Sequence, residues 1–188
     1  MMLQEFVPNR KKLSVCTGLT DEYVVLKKNS RSTNRFNQNN IFDAILQSDT
    51  QYINGSMLTI EEQKYFVVSR RNSVLSNTAQ LYKVNSNVSI VSLAKHYTSG
   101  NFDYYTSTVI SSSTPAMYKD ITAKMQQFDL GLRSDTVKKF ILPIASINLL
   151  NRINFEGKHY QINSIDITEY EGLLSVQCSE DTRVVKTV

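Results

Sequence analysis

Few residues in this chain have side chains suited to covalent or metal chemistry. There are two cysteines, Cys16 and Cys178, and two histidines, His96 and His159. Their spacing builds no CxxC pair, zinc knuckle or HExxH helix. No flanking signature supports a Cys–His nucleophile either. The expected state is two free, partly buried thiols, with His159 on a strand face. A hydrolase would need paired carboxylates. Asp166 with Glu169 or Glu171, and the adjacent Glu180 and Asp181, are the candidates, and their places near a turn and the C-terminus predict solvated roles. GxxxxGK[ST], GxGxxG and GxSxG are all missing, and the isolated glycines read as turn residues. The sequence predicts no catalytic residue, no metal and no cofactor, and a non-enzymatic protein.

Charge is unevenly spread. Residues 1–35 hold Arg10, Lys11, Lys12, Lys27, Lys28, Arg31 and Arg35 against Glu5, Asp21 and Glu22, an excess equal to the chain's net charge of +4. Such a segment can dock on nucleic acid or on an acidic partner. It lacks the interleaved aromatics of a specific nucleic-acid module. The preferred reading is an arm on a neighbouring subunit, with Lys27, Lys28, Arg31, Arg35 and Phe36 as its contacts. The stretch from 28 to 40, KNSRSTNRFNQNN, offers only Phe36 for burial and reads as a polar loop or partner-ordered arm.

The elements that must position these residues read as strands. Ser, Thr and Asn supply 52 of the 188 residues, and they favour strands, turns and loops over helix interiors. No apolar run reaches the ~18–20 residues of a membrane-spanning helix, so no membrane partner is expected. The first residues lack the apolar core of a secretory signal. Residues 23–26 form a β-branched run, and 40–46 fit either a short helix capped by Asn40 or a strand. A hairpin is expected at 57–60 and 65–69 about a turn at 61–63. Residues 78–84 and 88–93 alternate as half-buried strands. Gly100 and Asn101 mark a turn in a tyrosine-rich stretch, part of which, 104–110, can pair as an edge strand. The run from Ser113 to Pro115 is expected to turn the chain. Residues 117–128 fit a helical stripe or a strand face, with their Ile-Thr pair favouring strand. Further strands fall at 138–142, ended by Pro143, and at 172–178, with another available at 182–188. Residues 151–155 and 159–167 form a second hairpin about Glu156, Gly157 and Lys158.

The expected fold is therefore mainly β: two small β-barrel or sandwich-like halves with extended loops and an N-terminal arm. The expected divisions are 1–40 for the basic segment and polar loop, and 41–95 for the first half. A tyrosine-rich linker or edge spans 96–114, and the second half spans 115–188. The two hairpins match: Lys64-Tyr65 and His159-Tyr160 take equivalent places after a charged turn, and an apolar strand follows each. This suggests paralogous halves.

The second hairpin carries a further resemblance. Asn151-Arg152-Ile153, then Phe155, Gly157-Lys158, Tyr160 and Ile162, followed by Ser164-Ile165-Asp166, resembles a pattern in neck proteins of long-tailed bacteriophages. These are the head-completion or head-to-tail stopper proteins and related tail-end proteins. Asn151 stands where that pattern usually has Asp, and Gly131-Leu132 and 140–143 resemble its approach. The resemblance covers about a third of the chain at most. It implies a small β-barrel without enzymatic activity, in a ring of six or twelve identical copies around a DNA channel. The partners implied are a portal or adaptor protein, tail proteins and, non-specifically, packaged DNA. The location implied is the virion neck or tail, after assembly in the host cytoplasm. Arg152, Gly157, Tyr160 and Asp166 are its hairpin and interface candidates, with Arg152 expected to pair with a carboxylate. The alternatives are a tail terminator, a baseplate or fibre-attachment module, and an OB-like single-stranded nucleic-acid binder.

Overall fold

A computed structural model describes residues 13–28, 39–73, 77–129 and 131–186. Arg31, Arg35 and Phe36 lie outside the described residues, as does most of the basic N-terminal segment. The chain divides into two compact units. One comprises the described parts of Met1–Asn85 together with Tyr170–Leu173, and the other those of Ser86–Glu169 and Leu174–Val188. The division thus falls between Asn85 and Ser86, ten residues earlier than the sequence suggests, because β7 begins at Ser86 and its pairing with β8, though bulged in places, continues through the tyrosine-rich stretch.

The first unit contains β1 (Leu13–Thr17), β2 (Glu22–Lys28), β3 (Ile41–Leu46), β4 (Met57–Ile60), β5 (Gln63–Arg71) and β6 (Asn77–Lys83). They close in the order β1-β2-β3-β6-β5-β4, every neighbouring pair antiparallel. Residues 13–28, assigned from sequence to the basic N-terminal segment, supply two barrel strands, the second of which contains the β-branched run at 23–26. Their alternation makes this possible: Val24 faces the core, while Tyr23 and Lys27 face out. Residues 41–46 form a strand, because Phe42, Ala44 and Leu46 alternate into the core. Leu58, Ile60, Tyr65, Val67 and Leu81 complete that interior.

The second unit contains β7 (Ser86–Thr98), β8 (Asn101–Asp120), β9 (Lys138–Pro143), β10 (Arg152–Phe155), β11 (Lys158–Asp166) and β12 (Leu173–Glu180). A short β13 (Val185–Lys186) pairs parallel with β8. The sheet runs β13-β8-β7-β10-β11-β12-β9, and β9 also pairs with β8, closing a second six-stranded barrel. Around the ring the order is β7-β8-β9-β12-β11-β10, the same circuit as in the first unit. Its interior holds Ile90, Phe140, Leu142, Ile153, Phe155, Tyr160, Ile162, Val176 and Cys178.

The likeness extends to register. Both hairpins turn through two residues of positive φ, Glu61 and Glu62 in one, Glu156 and Gly157 in the other, which is the type I′ geometry. Each return strand then bulges at the same distance from its turn, between Val67 and Ser69 and between Ile162 and Ser164. Counting from the turn, Tyr65 corresponds to Tyr160, Val67 to Ile162 and Met57 to Arg152.

Two expectations are corrected. Pro115 does not turn the chain: it lies within β8 opposite Asn87, beside the irregular register around Val88 and Ile90. Proline holds the preceding residue extended and is tolerated where a ladder is already irregular. Residues 117–128 are neither one strand nor one helix. Met117 to Asp120 end β8, and α1 (Ala123–Phe128) follows, with the Thr122 hydroxyl accepting from the Met125 amide as N-cap.

Candidate functional site

The most exposed regular element of the second unit is the outer part of the β7–β8 hairpin. Leu93 is the last buried residue of β7, and residues 94–98 are all exposed. They pair with residues 101–106 about a turn at Ser99 and Gly100, again of positive φ. Strand β10 pairs with β7 only through Ser89, Ile90 and Val91, and among the described residues no strand other than β8 pairs with β7 beyond that point. The result is an arm that is two-stranded at its outer end, from His96 to Tyr104, an element that alone is marginal in water.

Aromatic side chains cover this arm. His96 stacks on Tyr104 at 4.5 Å between centroids, and Phe102 contacts Tyr97 at 6.2 Å and Tyr105 at 4.9 Å. Tyr97 and Phe102 remain about half exposed. The C-terminal strand braces the inner end of the arm. The Tyr105 amide donates to Val184 O at 3.2 Å, Val185 pairs with Tyr105, and the Lys186 ammonium sits 4.3 Å from the Tyr104 ring centroid. Such ammonium–ring contacts are attractive.

The brace is anchored by a buried ion cluster. Asp181 is completely enclosed and receives Arg152 Nε and Arg183 Nη2, both at 2.7 Å from Oδ2. Arg152 Nη2 also donates to Arg183 O at 2.9 Å, and Arg183 Nη1 donates to Leu150 O at 3.0 Å. Burial alone would raise the Asp181 carboxyl, but the bonds from Arg183 and Arg152 outweigh it and hold the group far below the usual carboxylate range. Arg152 therefore has the carboxylate partner expected of it, 29 residues away. Asp181 is no solvated acid, contrary to its reading from sequence. Its place just after β12 gave no local sign of burial.

The other hairpin candidates are structural in the same sense. Tyr160 is enclosed in the core, with its ring 6.1 Å from that of Phe140. Arg152 is also buried, so neither offers an interface. Gly157 supplies the turn's second positive φ and has open space around it. Asp166 shapes the following loop, accepting from the Thr168 amide and hydroxyl at 2.7 Å each and from the Glu169 amide at 3.2 Å. These bonds, chiefly those from the Thr168 hydroxyl and amide, hold its carboxyl below the usual range. His159 is exposed, its Nδ1 lying 2.7 Å from Asn154 Oδ1.

Both thiols are free and buried. Burial, with Glu22 nearby, pushes the Cys16 thiol up to about 11, and burial pushes Cys178 higher still. Neither is activated as a nucleophile. Among the described residues, no cluster of three His, Cys, Asp or Glu side chains is placed to hold a metal. No described helix is long and apolar enough to cross a membrane.

The first unit carries a shallow surface concavity of about 370 Å³, lined in part by Lys27, Asp43, Ser69, Arg71, Thr78 and Gln80. Lys27 lies directly across the β2–β3 ladder from Asp43, so its charge is locally offset. No ring faces the concavity on which a base could stack. Lys28 ends β2 as an exposed side chain. Of the two features, the arm is the more developed: it has its own hairpin, its own aromatic cluster and its own anchor.

No protein-family model matches this chain, and no curated protein matches it.

Proposed function

We propose that this protein is a non-enzymatic assembly component of the bacteriophage neck, joining head to tail in a ring around the DNA channel. The observation that carries the assembly role is the aromatic β7–β8 arm. It is a two-stranded ribbon with exposed rings and a buried ion cluster holding its base. An element of this kind gains stability when a partner covers it. The neck as the setting rests on the Arg152–Asp166 pattern in the second hairpin. Twin barrels suit such a role, because closure leaves few free sheet edges and so restricts pairing to chosen elements.

The test is imaging of particles that contain the chain. The expected result is a ring of copies between a portal-like ring and a tube. A chain that never enters particles, and that binds oligonucleotides with a steep salt dependence, would overturn the proposal in favour of a nucleic-acid-binding module.

A further inference from the structure

Asn54 and Gly55 form the one Asn-Gly pair of the chain. In such a pair the backbone nitrogen of the second residue can attack the side-chain amide of the first, because glycine has no Cβ to block the approach. Here the pair lies between β3 and β4 and packs, within its unit, on Glu171 and Gly172. Asn54 Nδ2 donates to Glu171 Oε2 at 2.6 Å, and a Cβ on Gly55 would meet Gly172 backbone atoms at 2.5 to 2.7 Å. Tyr170, next to Glu171, places its ring 5.6 Å from that of Tyr82 on β6. Together these contacts form a clasp.

In the closed clasp, each atom that would react is restrained. Attack requires the Gly55 nitrogen to give up its proton, but that N–H donates to Val67 O at 2.8 Å. The leaving nitrogen, Asn54 Nδ2, is tied to Glu171. Negative charge in the tetrahedral intermediate would fall on Asn54 Oδ1, which is buried without a hydrogen-bond donor among the described residues. A buried oxyanion without donors is costly. Release of Glu171 and Gly172 frees Nδ2 and uncovers Gly55, leaving the turn held to β5 by its backbone bonds to Val67.

We propose that Asn54 is a site of spontaneous deamidation gated by this clasp: closure protects the Asn54–Gly55 bond, and conversion after an opening prevents reclosure. Water is the one reactant. The deprotonated Gly55 nitrogen bonds to Asn54 Cγ, the Cγ–Nδ2 bond breaks, and the nitrogen leaves as ammonia, giving a cyclic imide. Water then opens one of the two imide carbonyls, yielding aspartate or isoaspartate. Both products lose the donor to Glu171. In the aspartate product a carboxylate takes its place, and like charges at that distance repel. In the isoaspartate product the chain gains a backbone atom beside Gly55, where Gly172 leaves no room. The inference is independent of the assembly reading.

The test is peptide mass spectrometry of the full chain after incubation at mildly alkaline pH, folded and in urea, with fragmentation locating the conversion. Asn54 is expected to convert at least about tenfold more slowly in the folded chain than in urea, because reaction waits on local opening. Glu171→Ala removes the tie on Nδ2 and should speed conversion in the folded chain roughly twofold to tenfold, the worth of one hydrogen bond. Glu171 is exposed, so this variant is expected to keep the barrel, as circular dichroism would verify. Asn54→Asp stands for one product, and Asn54→Ala removes the donor without adding charge. Amide hydrogen exchange at residues 170–173 should be faster than wild type in both, and fastest in Asn54→Asp. The proposal is overturned if Asn54 does not convert in urea, or converts equally fast in the folded chain. A Glu171→Ala chain that converts no faster than wild type also overturns it, as does exchange in Asn54→Asp no faster than in Asn54→Ala.

Discussion

The two barrels trace the same circuit of strands, yet they treat a buried carboxylate in opposite ways. In the first, Glu22 is buried on β2. One carboxyl oxygen accepts from the Thr50 hydroxyl, and the other, Oε2, has no hydrogen-bond partner among the described residues. Burial dominates, and the Glu22 carboxyl is raised despite the Thr50 and Gln47 hydrogen bonds. In the second, the Asp181 side chain is fully enclosed, yet two arginines keep it ionised. Burial therefore does not set the sign of the shift. The number and charge of donors facing the carboxylate do.

A second difference lies in how each barrel is extended. The first has a short β1–β2 connection and a close backbone contact within its unit. A Cβ on Gly55 would meet Gly172 backbone atoms at 2.5 to 2.7 Å. Asn54 Nδ2 also donates to Glu171 Oε2 at 2.6 Å. The second barrel lengthens the equivalent hairpin into the arm and adds β13. One circuit thus carries a tight loop clasp in one unit and a projecting element in the other.

The largest break in this comparison is at Asp181. Asp181→Ala leaves buried Arg152 and half-buried Arg183 without their carboxylate and should destabilise the second barrel by about 3–5 kcal/mol. Met57→Ala, at the place that corresponds to Arg152, should stay within about 0.5 kcal/mol because Met57 is exposed. Each barrel holds one buried cysteine, so thiol labelling in urea reads them separately. Cys178 should become reactive at lower urea in Asp181→Ala, with Cys16 less affected. The folded pKa of Asp181 is depressed. Its contribution is therefore fully present above the unfolded value of about 3.9 and is lost as pH falls below it. Asp181→Asn should flatten the acid limb of the wild-type stability profile.

Gly55→Ala comes next. Its φ of +83° disfavours a side chain, and the Cβ has no room. The combined strain and overlap should cost roughly 2–4 kcal/mol in urea titrations. Gly157→Ala, in the second hairpin, meets nothing within 4 Å and carries only the strain of its φ, so about 1–2 kcal/mol is expected. Equal losses at the two positions would show that the contact with Gly172 is not tight.

A smaller effect, of opposite sign, is expected at Glu22. Its folded pKa is raised, so its ionisation opposes folding as pH rises from the unfolded value of about 4.3 through the folded one. Glu22→Gln keeps the acceptor for Thr50 and removes the buried charge. It should stabilise the first barrel at neutral pH by roughly 0.5–1 kcal/mol, with the gain shrinking as pH falls. A loss at pH 7 would mean that the charge of Glu22 is favourably held.

Much of the β reading was legible because its signals are local. Period-two alternation identified the strands at 78–84 and 88–93, and the charged turns identified both hairpins, 57–60 with 65–69 among them. The correspondence of Tyr65 and Tyr160 was legible too, since both count from the same kind of turn. The split of residues 117–128 was not, because four strand residues and six helical ones share one apolar spacing. The arm read only as a linker or edge, with 104–110 available as an edge strand, because a ribbon exposed on both faces lacks the apolar alternation of a buried strand.

By itself, the sequence determined the strand-rich class, the pair of similar hairpins and the lack of any local metal or nucleotide motif. Tertiary structure alone decided that the strands close into two rings of one circuit. It also decided that Asp181 meets arginines 29 and two residues away, and that Gly55 faces Gly172. The reason is physical. Alternation and turn chemistry depend on neighbours in the chain, whereas closure, ion pairing and backbone contact depend on residues that only folding brings together.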